Sequence, residues 1–168
     1  MERRKFRVYA SHRQILLADD YIWKYSDGPP PPSEPGLWTR QAFDDRMAVD
    51  AGMLGIITGS YGFVEVEFEI HAAEPELDLD AWDHVVEGSL EILDGELQVA
   101  SCMGHEAARL PLNPAWYRVR CCQAGLDGAS DAGGNCSDWY RIQIWPAQPG
   151  PVRVLKRALG STNTPAQP

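Results

Sequence analysis

The stretch VEVEFEI, residues 64–70, alternates apolar and polar side chains with a period of two. Successive side chains of a β-strand point to opposite faces of a sheet, so the apolar residues would line one face. Glu65, Glu67 and Glu69 would line the other face, where we expect them to meet solvent. This pattern is typical of an antiparallel strand that turns one side toward a hydrophobic core.

The same alternation recurs along most of the chain and predicts its fold class. In YRIQIW, residues 140–145, it places Tyr140, Ile142 and Ile144 on the buried side. An Asp94-Gly95 pair between two apolar runs predicts a hairpin. Many short strands with frequent turns predict an all-β protein, a two-sheet antiparallel β-sandwich. The other predicted strands lie at 5–10, 13–18, 52–58, 84–93, 95–102, 116–122 and 152–157.

Two segments interrupt the strand pattern. Thr39 is a good N-cap for the residues that follow it, which predicts one short helix near 39–49, although an extended segment is an equal alternative. SDGPPPPSEPG, residues 26–36, predicts an exposed proline-rich loop over 28–36. We expect a single domain over 1–159, followed by a disordered polar tail over 160–168.

The composition disfavours several classes of function. The formal charge is -9, with 24 acidic and 15 basic residues, so a nucleic-acid partner is disfavoured and a basic protein is the partner that the charge favours. No apolar run approaches the ~20 residues of a membrane span. The N-terminus lacks the apolar centre of a secretory signal, which predicts a cytoplasmic protein. The four cysteines form no CxxC pair, and buried reduced thiols are expected.

Catalytic motifs are absent from the sequence, which predicts a non-enzymatic protein with no cofactor and no metal. The one acid–base candidate is DAWDHVVE, residues 80–87, which places His84 beside Asp83. In a strand these two side chains face opposite ways, so a structural histidine is favoured over a catalytic one.

The glycine-rich loop GLDGASDAGGNCSD, residues 125–138, carries oxygen ligands that allow three interpretations. It has no lysine, which excludes a phosphate loop. Asp127 and Asp131 could hold calcium, but the spacing departs from an EF-hand loop and no closing glutamate follows. The second and simplest interpretation is a solvated turn. The third interpretation is that Asp127, Asp131 and Asp138 face a cationic partner, beside Trp139.

A second acidic stretch, EPELDLDAWD at residues 74–83, contains no basic residue. Exposed carboxylates of this kind are solvated in most proteins, and they are also what a basic partner would recognise. Trp139 or Trp145, if either lies outward, would add the aromatic contact that interfaces favour. The candidate partner-binding carboxylates of this stretch are Glu74, Glu76, Asp78, Asp80 and Asp83.

Three longer stretches resemble the competence protein J family. LWTRQAFDDRMAVDAGMLGI (37–56) matches the family spacing of a tryptophan, an alanine four residues later and a small-residue stretch before an apolar strand. The segment 84–122 is similar to the family's strand, turn and strand, and then to its LP…Y motif. DWYRIQIWPA (138–147) is similar to its late D-x-Y strand.

The resemblance implies a function as well as a fold. The family inhibits the nuclease that acts during DNA uptake, so an inhibitor or immunity-type partner of a nuclease-like protein is implied. It covers most of the chain between Phe6 and Pro146; the proline-rich stretch, the glycine-rich loop and the C-terminal tail are additions to the family pattern. A monomer or weak homo-oligomer is expected. The alternative is a cation- or small-ligand-binding sandwich with calcium near Asp127 and Asp131.

Overall fold

A computed structural model describes residues 1–19 and 37–159. The predicted proline-rich loop at 28–36 and the tail at 160–168 lie outside the described residues, and the domain boundary at 159 stays a prediction. The elements in chain order are β1 (Glu2–Ala10), β2 (Gln14–Asp19), α1 (Arg40–Asp45), β3 (Met47–Asp50), β4 (Met53–Ile57), β5 (Gly62–Ile70), β6 (His84–Ile92), β7 (Glu96–Ser101), β8 (Glu106–Pro111), β9 (Ala115–Ala124), β10 (Asn135–Pro146) and β11 (Arg153–Lys156).

The strands form two sheets, which confirms the predicted β-sandwich. Sheet A has the order β1-β5-β10-β9-β6-β11, and sheet B has the order β3-β4-β2-β7-β8. Neighbouring strands are antiparallel except for β5 and β10, which run parallel. The sequence predicted an antiparallel sheet throughout. Alternation fixes which face a side chain occupies, but it carries no information on which strand lies alongside or in which direction it runs.

The core lies between the two sheets and contains the apolar residues that the alternation selected. Tyr140, Ile142 and Ile144 of β10 are buried, and so are Val64, Val66 and Phe68 of β5. They pack against apolar residues of β2, β4 and β7 in one continuous cluster. Burying a large apolar side chain stabilises the fold by about 1.5–3 kcal/mol, so this cluster supplies most of the driving force for folding.

The predicted helix exists but is shorter than expected. Thr39 accepts a hydrogen bond from the Ala42 amide as its N-cap, and the helix ends at Asp45 because Arg46 takes a left-handed conformation with φ 60°. Residues 47–50, which were assigned to the helix, form β3 instead. β8 also falls where no strand was predicted. It ends at Pro111 and lies at the edge of sheet B, where proline is tolerated.

The Asp94-Gly95 turn does not close a hairpin. It carries the chain from β6 in sheet A to β7 in sheet B, so these two strands are not paired. The buried carboxylate of Asp19 accepts hydrogen bonds from the amides of Leu93 and Asp94, and Gly95 has a φ of 79°. The turn signal was therefore correct, but the strands that it joins lie in different layers.

The four cysteines are free thiols. Cys121 and Cys122 are buried on opposite faces of β9, and burial raises the pKa of both, to about 12 for Cys122. Thiols with such a raised pKa are unreactive. Among the residues described, no helix is long and apolar enough to cross a membrane.

Candidate protein-binding face

The outer face of sheet A is covered by paired charges. Glu67 and Glu69 of β5 are 7% and 2% exposed, so the expectation that they face solvent is wrong. Arg3 of β1 lies 2.7 Å from Glu69, while Lys5 and Arg141 lie 3.0 Å and 2.8 Å from Glu67. Burial alone would raise the pKa of Glu67, but hydrogen bonds from these two cations outweigh it and lower that pKa. Both glutamates therefore stay charged and paired.

A long connection between β5 and β6 lies across this outer face. We call residues 71–83 the acidic strap. Its first part is held by Arg120 of β9, a side chain that is 1% exposed. The Arg120 guanidinium donates to the carboxylate of Glu74 at 3.1 Å and to the backbone carbonyl of Pro75 at 3.1 Å. The same guanidinium also pairs with Glu87 at 2.8 Å, so one buried cation joins the strap to the sheet.

The second part of the strap is held by aromatic and backbone contacts. Trp82 is buried and lies against Trp139 of β10, with ring centroids 4.7 Å apart. The Arg141 guanidinium lies 5.1 Å from the Trp82 ring centroid, a cation–π contact. Lys156 donates to the carbonyl of Leu79 at 2.8 Å. The strap is therefore fixed at both ends, by contacts with β9, β10 and β11, and these contacts leave the β1–β5 half of the face open.

The carboxylates that the sequence singled out in the strap are all exposed. In the described part of the chain, Glu74 is the only one of the five that forms a salt bridge, with Arg120. Asp78 accepts a hydrogen bond from the Asp80 amide at 2.9 Å, which is a local turn contact. Within residues 1–19 and 37–159, no cation forms a salt bridge with the other four strap carboxylates. The exposed strap residues are Glu74, Glu76, Asp78, Asp80 and Asp83.

The glycine-rich loop joins the strap at Asp83. The Asp83 carboxylate accepts a hydrogen bond from the Leu126 amide at 3.0 Å, which places the exposed Asp127 beside the end of the strap. The structure thus brings together two acidic segments that are more than 40 residues apart in sequence. Five strap carboxylates and Asp127 form one acidic surface.

Asp131 lies at the other end of the loop and has a different environment. Both of its carboxylate oxygens accept hydrogen bonds from the Arg13 guanidinium, and this ion pair lowers the pKa of Asp131. The loop is also bonded to the turn before β5, because the Tyr61 amide donates to the Ser130 carbonyl. In residues 1–19 and 37–159 no three possible metal ligands come together. The calcium alternative therefore gains no support from this geometry.

Asp138 does not face a partner, contrary to the sequence-based expectation. Its side chain is fully buried, and one carboxylate oxygen accepts hydrogen bonds from the amides of Gly59 and Ser60 and from the Tyr140 hydroxyl. Burial and the neighbouring Asp138 charge raise the pKa of Tyr140. Asp138 instead bonds β10 to the turn after β4. The alternation of side chains along β10 could have predicted its burial, because residue 138 lies on the same inner face as Tyr140.

His84 has no catalytic environment. It is fully buried, and its Nδ1 accepts a hydrogen bond from the Ala158 amide. Nε2 therefore carries the proton and donates to the Asp45 carbonyl at 3.0 Å. Burial lowers the pKa of His84 to about 4. Asp83 is exposed on the strap, so the two side chains diverge, as the strand parity predicted.

The two tryptophans considered as outward contacts differ. Trp145 is 3% exposed and lies beneath Arg120, whose guanidinium is 5.0 Å from its ring centroid. Trp139 is half-buried beside Trp82. Arg120 and Arg141 were not predicted from the sequence as the residues that hold the strap. Their signal was present, because alternation placed both arginines on the face opposite the core.

Comparison with solved structures gives the same architecture. The chain superposes on ComJ, the inhibitor of the DNA degrading activity of NucA from Bacillus subtilis, with a TM-score of 0.60 and 16% identity, covering 88% of this chain and 96% of ComJ. This chain has the ComJ fold. A second structure, crocagin biosynthetic gene J, matches with a TM-score of 0.51 and 14% identity, covering 88% of this chain and all of that one. No family model and no curated protein matches the sequence.

The ComJ likeness confirms the resemblance that the sequence showed, at the level of the fold. Its coverage of 88% includes most of the sandwich. An identity of 16% does not transfer individual residues, so the likeness assigns no role to the acidic strap or to the loop around Asp127.

Proposed function

We propose that this chain is a non-enzymatic protein that binds and inhibits a nuclease-like protein. The likeness to ComJ, an inhibitor of a DNA-degrading activity, carries the proposal. The four free thiols fit a reducing compartment, and we place the interaction in the cytoplasm, with the chain as a monomer or weak homo-oligomer.

The acidic strap, together with Asp127, supplies the charge for such an interaction. A nuclease that cuts DNA without sequence preference must bind a phosphate backbone through basic groups. Exposed carboxylates held on a rigid support offer the same sign of charge as phosphate and can occupy the same cleft. Opposite charges also speed the encounter, and this steering weakens as salt rises. Inhibition by occupation of the cleft requires no catalytic residue in the inhibitor.

A DNA degradation assay tests the proposal, with NucA as the probe nuclease and ComJ as the positive control. We expect the chain to slow DNA cleavage in proportion to its concentration, and to lose potency as salt rises. NucA alone at each salt concentration corrects for the effect of salt on the nuclease. No inhibition at a large molar excess, while ComJ inhibits in parallel, would count against the proposed function.

A pair of matched variants tests the role of the strap. Glu76→Gln with Asp80→Asn removes two exposed strap charges, and Asp44→Asn with Glu91→Gln removes two charges elsewhere, so the net charge changes equally from -9 to -7 in both. We expect the strap variant to inhibit at least about tenfold more weakly and the control to inhibit as the unaltered chain does. Equal potency of the two variants would mean that only the overall charge matters.

A further inference from the structure

The half of the outer face that the strap leaves open carries a group of aromatic side chains. β1 and β5 form this half, and their register pairs Tyr9 with Phe63. The two rings lie 4.8 Å apart in an edge-to-face arrangement, and Phe63 is 42% exposed. Tyr61 lies 5.8 Å from Tyr9, and His12 lies 6.1 Å from Tyr61. We call Tyr9, His12, Tyr61 and Phe63 the aromatic patch.

The patch is held in place by contacts that restrict its motion. The Arg7 guanidinium lies 4.9 Å from the Phe63 ring centroid and also donates to Asn135 at the end of the glycine-rich loop. The Phe63 amide donates to the Gly134 carbonyl at 3.0 Å. Rigid aromatic side chains lose little conformational entropy on binding, and interface hot spots are enriched in tyrosine, tryptophan and arginine.

The backbone beside the patch is in a strained conformation. His12 and Arg13 have φ values of 51° and 58°, in the left-handed region that non-glycine residues rarely adopt. The Arg13 carbonyl accepts from the Thr58 amide, and its side chain binds Asp131, so the fold holds this conformation in place. The result is a His12 ring that stands against Tyr61 on the surface.

The charges around the patch restrict what could bind it. Arg7 is paired with Glu65 at 3.1 Å, and Arg13 is paired with Asp131. Neither cation is left for a phosphate, and the neighbouring strap would repel one. A second copy of this chain would also bring a net charge of -9 and its own acidic strap to the same face. A basic protein is the occupant that suits an apolar patch beside an acidic surface.

We propose that the aromatic patch is the contact that retains the basic, nuclease-like partner which the acidic strap attracts. This inference rests on the proposed function. The glycine-rich loop connects the two surfaces, from Asp127 beside the strap to Gly134 beside the patch. The patch forms the apolar centre of the interface, and the strap forms its charged rim. Apolar contacts at the centre govern dissociation, while rim charges govern association and its salt dependence.

Binding kinetics with immobilised NucA test whether the aromatic patch governs dissociation and the acidic strap governs association. Phe63→Ala is expected to raise the dissociation rate about tenfold or more and to leave the salt dependence of association unchanged. The Glu76→Gln, Asp80→Asn variant is expected to slow association and to flatten its salt dependence. Trp116→Ala is the matched control, because Trp116 is 40% exposed, close to the 42% of Phe63, but lies at the other end of β9. Eight residues separate Trp116 from Ala124, the β9 residue that pairs with Trp139, which is a distance of about 26 Å along the strand.

Each outcome decides the inference. His12→Ala provides a second exposed change in the patch, and thermal unfolding checks that every variant is folded. An unchanged dissociation rate in both patch variants, with the unaltered chain bound to NucA, overturns the inference and leaves the proposed function standing. No binding by the unaltered chain overturns both. A Phe63-dependent dimer in sedimentation, or Phe63-dependent binding of a single-stranded DNA oligonucleotide, would assign the patch to another occupant and also overturn it.

Discussion

Arg120 is the residue whose removal tests most directly how the acidic strap is held. Its guanidinium joins Glu87 in the sheet to Glu74 and the Pro75 carbonyl in the strap. Arg120→Met keeps an unbranched apolar stem and removes the guanidinium group with its charge. Taking one member from a buried ion pair costs roughly 3–5 kcal/mol, because the remaining charge is left without compensation. Glu87 retains Arg118 at 3.2 Å, so we expect a loss near the lower end, about 3 kcal/mol.

Two measurements separate the global from the local effect. Urea unfolding gives the free energy of unfolding. Hydrogen exchange of the amides in 71–83 reports whether the strap opens. Arg118→Met is the matched control, since Arg118 binds the same Glu87 but donates to the carbonyls of Gly150 and Pro151 instead of to the strap. We expect the control to lose stability while its strap stays protected.

A double variant separates the cost of an unpaired buried charge from the loss of the strap contact. Arg120→Met with Glu87→Leu removes this buried pair, but it also takes the Glu87 carboxylate from the buried Arg118, so we expect only part of the lost stability to return. The strap should still exchange faster, because its contact with Arg120 is gone. The reasoning would be refuted by a loss below about 1 kcal/mol in Arg120→Met, or by equal strap exchange in the Arg120 and Arg118 variants.

Two further predictions concern pH and calcium. The pKa of His84 falls to about 4 in the folded state, below its ordinary 6.5, so it contributes stability above pH 6.5 that is lost as pH falls toward 4. Between pH 7.5 and pH 5 the free energy of unfolding is expected to fall by about 2 kcal/mol because of His84. Urea unfolding of His84→Gln should show a pH dependence of this free energy that is smaller by that amount. The same pH dependence in both proteins would contradict the lowered pKa of His84. Neither calcium nor a chelator is expected to shift the thermal unfolding midpoint, because Arg13 donates to both Asp131 oxygens. A calcium-dependent rise of this midpoint that Asp127→Asn abolishes would instead support a cation site.

The alternation of side chains predicted most of the strands and the face that each side chain occupies. Val64 and Ile142 are buried as expected, and Arg120 lies on the opposite face. The turn at Asp94-Gly95 was also predicted, but its role as a bridge between sheets was not. A turn motif specifies a local reversal of the chain, whereas the layer that the next strand joins depends on contacts made far away in sequence.

The candidate site was predicted only in part, and for the same reason. The five strap carboxylates and Asp127 are exposed, since runs of acidic residues seldom lie in a core, and their role in binding stays a prediction. Asp138 was placed outside because its loop is polar, yet it is buried, with one carboxylate oxygen bonded by amides of the turn after β4 and by the Tyr140 hydroxyl. Glu67 and Glu69 were placed in solvent, yet β1 and β10 bring cations over them.

The sequence by itself determined that this protein is a two-layer β-structure with an acidic surface, because strand periodicity and charge are local properties of the chain. Only the tertiary structure decided that β5 and β10 run parallel, that Arg120 holds the strap, and that Asp83 meets the loop of Asp127. These contacts join residues tens of positions apart. Their geometry depends on how the two sheets pack, and no local pattern encodes it.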